Sequence, residues 1–324
     1  HAKDRRQRQM CIRDRLNYKN VIEINFMKRD NIIIGSRGSK LAIIYAEKVK
    51  SEISKFYSGK IEIRKIITSG DQNQNERLSS MGGKGMFSTD IEKELLENKI
   101  DIAVHALKDM PSIDTKGLIT NCFLKRNSPN EILISKNLKF NDLKQGSVIG
   151  TSSFRREYQL RNVRADLVYK LIRGNVDTRI KKLENNEYDA IILSKAGIDS
   201  LNLQNKITDE FDVAKLVPCA GQGIIAIQCN ENNQDILRLI EKINDKQTRI
   251  IANTEREVLK ILEGDCDTAI GVFATIKNDK IELTAELFSV DGKSRFFIKE
   301  DDDIVIFYVM IVLDKKNSFS INRE

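Results

Sequence analysis

Five arginines of this chain fall in three short segments rich in glycine and hydroxyl-bearing residues, a combination suited to binding anions. The segments are Gly35, Ser36, Arg37, Gly38, Ser39; then Gly150, Thr151, Ser152, Ser153, Phe154, Arg155, Arg156; then Arg173, Gly174, Asn175, Val176, Asp177, Thr178, Arg179. Glycine lets backbone N–H groups approach a ligand, and a helix N-terminus attracts negative charge. A guanidinium can clamp a carboxylate through two parallel hydrogen bonds. Taken singly, each segment could be only a tight turn or a helix cap. Taken together they describe a cleft for a polycarboxylate. ATP is disfavoured, because no G-x-x-x-x-G-K-[ST] loop is present.

Three further segments carry other chemistry. Asp109 follows an apolar run and precedes Met110 and Pro111. A carboxylate there can move a proton or stabilise a developing cation, although an Asp in that setting also caps turns. Cys266 sits in the polar run Leu262, Glu263, Gly264, Asp265, Cys266, Asp267. Carboxylates beside a thiol disfavour the thiolate, so the position suits covalent attachment better than fast thiolate catalysis. Gly82, Gly83 and Gly85 surround Lys84 just before Phe87. That loop reads either as a lid that orders over a ligand or as an inert flexible segment.

To act together, these residues need strands that end at them and helices that start at them. Strand-like runs at 32–35, 61–67 and 102–105 alternate with two helical patterns. One follows a Ser39 cap with Leu41, Ile44, Val49, Ile53 and Phe56; the other follows Ser88 or Thr89 with Ile91, Leu95 and Leu96. This alternation predicts a parallel or mixed sheet covered by helices. The pattern restarts at Ser128 and Pro129, with strands at 131–135, 147–150, 167–173 and 190–194 and helices at 154–162 and 176–185. Pro218, Gly221 and Gly223 precede the apolar run 224–227, which reads as a crossing back to the first sheet. Helical patterns at 235–243 and 247–262 lead to strands at 270–276, 280–290 and 294–299, an antiparallel meander. In open α/β sheets ligands bind at the carboxyl ends of strands, which is where the arginine segments fall.

The 324 residues carry a formal charge of +7, which invites a nucleic-acid reading. The distribution argues against it: nine Lys/Arg and only four acids lie within residues 1–30, leaving the body nearly balanced. Five cysteines without C-x-x-C spacing support neither a disulfide framework nor a zinc site, and His1 and His105 are the only histidines. No metal is expected. The longest apolar run, 304–313, falls short of the ~20 residues that span a bilayer. A cytoplasmic protein is expected, without membrane or nucleic-acid partners. Residues 1–26 lack a usable apolar period and are expected to be extraneous or disordered, with Met27 a credible start and a natural basic arm the alternative.

In order and spacing, these segments resemble the hydroxymethylbilane synthase (porphobilinogen deaminase) family. The resemblance runs from about Asn31 to Lys299 and is most specific at GGKGMF (82–87), DIAVHALKDMP (101–111), GTSSFRR (150–156), RGNVDTR (173–179), YDAIIL (188–193), AGQG (220–223) and LEGDC (262–266). It implies an α/β fold with two lobes like those of type II periplasmic binding proteins. A smaller α+β C-terminal domain with an antiparallel sheet completes it. Residues 27–126 with 222–243 would form domain 1, 127–221 domain 2 and 244–324 domain 3. It further implies a dipyrromethane cofactor held through a thioether to Cys266, porphobilinogen as substrate, linear hydroxymethylbilane as product, and a monomer. Asp109 matches the family's catalytic carboxylate. Arg37, Ser39, Lys108, Thr151, Ser152, Ser153, Arg155, Arg156, Arg173, Arg179 and Gln222 match cofactor or substrate contacts, and Lys84 and Phe87 match the active-site loop.

The chain departs from the family pattern at Lys40, Ser80, Ser200 and Asp265, and most of all in 300–324, where an amphipathic helix is expected. Two other classes remain to be weighed. A non-catalytic two-lobed binding protein would keep the arginines but would need neither Asp109 nor Cys266. A nucleic-acid-binding protein would need a basic body, which this chain lacks.

Overall fold

The computed structural model describes residues 30–68, 85, 88–262 and 269–302. The expectations for 1–26, Ser80, Lys84, Phe87, Asp265, Cys266 and the chain beyond 302 fall outside these residues.

Strand β1 (Asn31–Arg37) buries Ile32 and Ile34 completely and pairs in parallel with β2 (Lys60–Ile66) and β3 (Ile102–Ala106). Antiparallel β10 (Ile225–Asn230) and edge strand β4 (Leu118–Phe123) complete the order β2-β1-β3-β10-β4. Helix α1 (Lys40–Ile53) covers one face with Tyr45, Ala46, Val49 and Ile53, beside Ile236, Leu239 and Ile240 of α6 (Gln234–Glu241). Helix α2 (Thr89–Leu96) covers the other face with Ile91 and Leu95. At ~1.5–3 kcal/mol for each fully buried aliphatic side chain, these two faces hold the lobe together.

The second sheet repeats the scheme. Strands β5 (Glu131–Ser135), β6 (Val148–Gly150), β7 (Val168–Lys170), β8 (Ala190–Ser194) and β9 (Asp209–Phe211) lie in the order β7-β6-β8-β5-β9. Again three parallel strands are followed by an antiparallel one and an edge. Helix α3 (Phe154–Val163) packs Leu160 against Leu133, Ile149 and Ile192, while α4 (Val176–Glu184) packs Ile180 and Leu183 on the other core. The short α5 (Lys195–Ser200) follows β8. A third unit sets α7 (Lys246–Ile261) against the antiparallel sheet β11 (Ile270–Lys277), β12 (Lys280–Phe288) and β13 (Arg295–Asp302), with Val258 meeting Val272, Ile281 and Leu283. The expected architecture of two α/β lobes plus a smaller unit with an antiparallel sheet is the one observed.

The chain crosses between the lobes twice, through 124–130 and 212–224. The two crossings are tied side by side: Asn127 N donates to Gly223 O at 2.8 Å, and Gln222 Nε2 donates to Pro129 O at 2.7 Å. Gly223 has φ +83°, and a Cβ there would stand 2.6 Å from Asn127 O, so only glycine fits.

Several local expectations shift. Helix α1 ends at Ile53, leaving Phe56 beyond it and 50% exposed. Strand β7 keeps three residues of the seven expected, and β13 continues to Asp302. Strands β4 and β9 and helix α5 were not anticipated from the pattern.

Candidate active site

The carboxyl ends of the parallel strands of both sheets face one cleft, a cavity of about 350 Å³. Arg37 comes from the end of β1, and Lys108 and Asp109 from the single 3-10 turn after β3. Ser152, Ser153, Arg155, Arg156, Arg173 and Arg179 come from the second lobe, and Arg256, Leu259 and Ile270 from the third unit. Three helix N-termini reach the cleft: Ser39, Lys40 and Leu41 at α1, Ser153 at α3, and Asn175, Val176 and Asp177 at α4. The dipoles of these helices add to the positive field of the arginines.

The hydroxyls hold this frame. Ser39 Oγ accepts from Ala42 N at 3.3 Å, capping α1. Ser153 Oγ accepts from Arg156 N at 3.4 Å, capping α3, and Thr151 Oγ1 accepts from Ser153 N at 3.2 Å. Thr151 is fully buried behind the cleft wall rather than in it.

The arginines divide into two sets. Arg155 and Arg156 converge on Glu131, which is completely buried at the start of β5. Arg155 Nη2 donates to Glu131 Oε1 at 2.6 Å. Arg156 donates through Nε to Oε1 at 2.9 Å and through Nη2 to Oε2 at 2.7 Å. Arg155 Nη1 also donates to Val217 O at 2.8 Å. Burial alone would raise the Glu131 carboxyl, but the charges of Arg156 and Arg155 outweigh it and bring the group down to about 2. These two arginines therefore build the cleft wall, with their charge largely spent on Glu131.

Arg179 belongs to the other set. Its Nε donates to Gly174 O at 2.8 Å. Burial, with the nearby positive charges of Arg156 and Arg173, pulls its guanidinium down to about 10, and Asp109 across the cleft opposes that shift. A buried place where cations depress one another is a place that a bound carboxylate would relieve.

The two lobes also touch across the cleft. Lys108 Nζ donates to Ser194 Oγ at 3.4 Å, and Leu41 of α1 packs against Gly197 of α5. Asp109 lines the main cleft and a smaller side cavity of about 50 Å³ beside Tyr45.

Among the described residues, Gln222 joins Thr151 as a sequence-predicted contact that the structure places outside the cleft lining. It is fully buried in the paired crossings: its amide donates to Pro129 O, its backbone carbonyl accepts from Arg126 Nε at 3.0 Å, and Cys219 Sγ donates to its Oε1 at 3.5 Å. Its polar atoms are used in joining the lobes. Three contributors were missed: Glu131, Ser194 and Arg256. Arg256 Nη2 donates to Asp114 Oδ1 at 2.9 Å and so ties α7 to the first lobe. A lone acid opening the apolar run 131–135 was the one available signal for Glu131.

The cleft suits a ligand that carries several carboxylates. Cationic side chains line it, helix N-termini reach it, and two carboxylates stand among them, half-buried Asp109 from the first lobe and exposed Asp177 at the start of α4. Leu259 and Ile270, which flank the segment containing Cys266 in sequence, line the same cleft.

Known proteins match the chain over most of its length. Residues 32–238 match the family described as "Porphobilinogen deaminase, dipyromethane cofactor binding domain", and residues 250–304 match "Porphobilinogen deaminase, C-terminal domain". A porphobilinogen deaminase of Fusobacterium nucleatum is 41% identical over 277 residues, covering 85% of this chain and 93% of that one. One of Bacillus cereus is 44% identical over 265 residues, covering 81% and 86%. Among solved structures, a putative methionine-binding lipoprotein of Bacillus subtilis is similar at a TM-score of 0.41, with 14% identity, covering 67% of this chain and 91% of that one.

Proposed function

The chain belongs to the porphobilinogen deaminase family, and we propose that Asp109 is its catalytic carboxylate and Cys266 the tether of its cofactor. The reaction is the stepwise deaminating condensation of four porphobilinogen molecules, followed by hydrolytic release of linear hydroxymethylbilane, in tetrapyrrole biosynthesis. The dipyrromethane, bound through a thioether, supplies the two primer pyrroles to which substrate units are added.

The observation that carries the residue assignments is the half-buried carboxylate of Asp109 standing in a cleft whose lining includes Arg37, Lys108, Arg173 and Arg179, while the cleft's other carboxylate, Asp177, is exposed. Porphobilinogen brings an acetate and a propionate on each ring, so a growing chain accumulates negative charge. Arg37, Arg173 and Arg179 receive those carboxylates, aided by the three helix N-termini. Arg155 and Arg156, held by Glu131, fix the wall against which the rings lie, with Ser152 and Ser153 beside them. Lys108 spans the lobes. Asp109 stabilises the positive charge that develops on pyrrole nitrogens during deamination, in a site where low polarisability makes one charge count for more. Gln222 and Thr151 act at a distance, through the crossings and the α3 cap. Lys84 and Phe87 are assigned to the family's active-site loop by the resemblance of 82–87 alone.

A cytoplasmic monomer acting on a small molecule is the setting this reading carries. The near-neutral body of the chain and the free thiols of Cys122, Cys219 and Cys229 support it.

Intact mass of the purified protein tests the tether. The wild type should carry the added mass of a dipyrromethane and Cys266→Ala should not, and denatured wild type alone should colour with Ehrlich's reagent. Equal masses for the two proteins would remove Cys266 from its assigned role.

A further inference from the structure

The cleft has an apolar part that the roles assigned above leave unused. Leu193 lies near the end of β8, Val176 opens α4, and Leu201 and Leu203 follow α5; all four line the cavity that Arg173 and Arg179 also line. Leu193 is 5% exposed and belongs to the core of the second lobe, against which Val176 and Leu203 pack. Val176, Leu201 and Leu203 are only half-buried, so the core does not use all of their surface. One half-exposed aliphatic side chain is ordinary. Here they come from separate segments of the chain and line one cavity together with arginines.

Helical spacing sets these residues beside the cations. Val176 and Arg179 are i and i+3 on α4, neighbours on one helix face with Cβ atoms about 5–6 Å apart. A carboxylate held by Arg179 therefore brings the group that carries it close to Val176. A planar ring with a short acid arm spans that distance and lays an apolar face on the valine, which gains by leaving water. An acyclic polyacid such as citrate brings only hydroxyl and further carboxylate groups there, and these lose by leaving water.

We propose that Val176, Leu201 and Leu203 form an apolar shelf beside Arg179 that takes the face of a pyrrole ring, and that this shelf selects ring-borne carboxylates over acyclic polyacids. The arginines accept any carboxylate, because a guanidinium reads only the two oxygens. The shelf reads what the carboxylate is attached to. The inference rests on the assignment of Arg179 to substrate carboxylates.

Two constants measured on the holoenzyme test it: KM for porphobilinogen and the constant for competitive inhibition by citrate. Val176→Thr keeps the shape of the side chain and replaces a methyl by a hydroxyl. It should raise KM about tenfold, the low end of what one lost apolar contact in a pocket costs, with kcat within about threefold and the citrate constant within about twofold. Val176→Ile, which keeps the apolar face, should hold KM within about threefold of wild type. A folded Val176→Thr enzyme with an unchanged KM would overturn the shelf. So would a KM and a citrate constant that rise together, because Val176 would then only position Arg179. Should Val176→Thr not fold, Leu201→Ser carries the same comparison with the same expected and refuting results. If citrate fails to compete in the wild type, or competes equally well after Arg179→Gln, the carboxylate role of Arg179 falls and the shelf with it, while the Cys266 tether is still judged by mass.

Discussion

Replacing Glu131 by glutamine would remove one negative charge from beneath two buried guanidinium groups. Glu131 is fully buried, and the side chains of Arg155 and Arg156 are 3% and 8% exposed, at 2.6 and 2.7 Å from it. The amide keeps one acceptor oxygen but turns an NH2 towards groups that can only donate. Two cations are left facing each other with no counter-charge, and breaking a buried pair in this way costs about 3–5 kcal/mol. In a protein of this size that is roughly 10 °C in Tm, at about 2–4 °C for each kcal/mol. Urea and thermal unfolding of the Glu131→Gln holoenzyme, followed by circular dichroism, should show this loss. Citrate, whose carboxylates can take the place of the missing one, should recover more stability in the variant than in the wild type. A variant within about 1 kcal/mol of wild type would mean that Arg155 and Arg156 do not depend on Glu131. The division of the arginines into wall and ligand sets would then fail.

Three further outcomes follow from the same geometry. Asp109→Asn should still carry the cofactor by mass, or assemble it poorly, and lose turnover by about a hundredfold or more, the scale of removing one preorganised charge from a transition state; near-normal bilane formation would refute its role. Gly223→Ala should destabilise the paired crossings by more than about 1 kcal/mol, since it adds both strain at φ +83° and a clash with Asn127 O; an unchanged unfolding midpoint would show that the crossings tolerate displacement. Stability should fall in acid in two stages. His105 is near 4 in the fold against 6.5 for the free side chain, so between those values the unfolded chain binds a proton that the fold excludes. Glu131 is near 2 against 4.5, so its contribution is present above 4.5 and lost as the pH falls towards 2. A Tm that stays flat from pH 7 to pH 3 would contradict both.

Most strand ends were legible in the sequence because the residues that bind anions also punctuate elements: arginine ends β1, glycine ends β6, and serine or Arg173 to Asn175 lead into the helices that follow. The return of the chain to the first sheet was legible for a similar reason, through Pro218, Gly221 and Gly223 ahead of an apolar run. Helix α5 has six residues and β9 three, too short to show a period, and β4 interrupts its apolar residues with Thr120 and Asn121. The distinction between wall arginines and ligand arginines was not legible. It depends on Glu131, some 24 residues before Arg155 and on another strand, and nothing local announces which cation a distant acid will meet. Gln222 shows the same limit: a polar residue in a matched motif could face a ligand or brace a crossing, and only its partners decide.

A crystal structure of the holoenzyme tests the central claim most directly. The account predicts continuous density from Cys266 Sγ into the cleft, with pyrrole nitrogens at about 3 Å from the Asp109 carboxylate and ring carboxylates on Arg37, Arg173 and Arg179. Pyrroles attached elsewhere, or lying with their nitrogens turned away from Asp109, would contradict it.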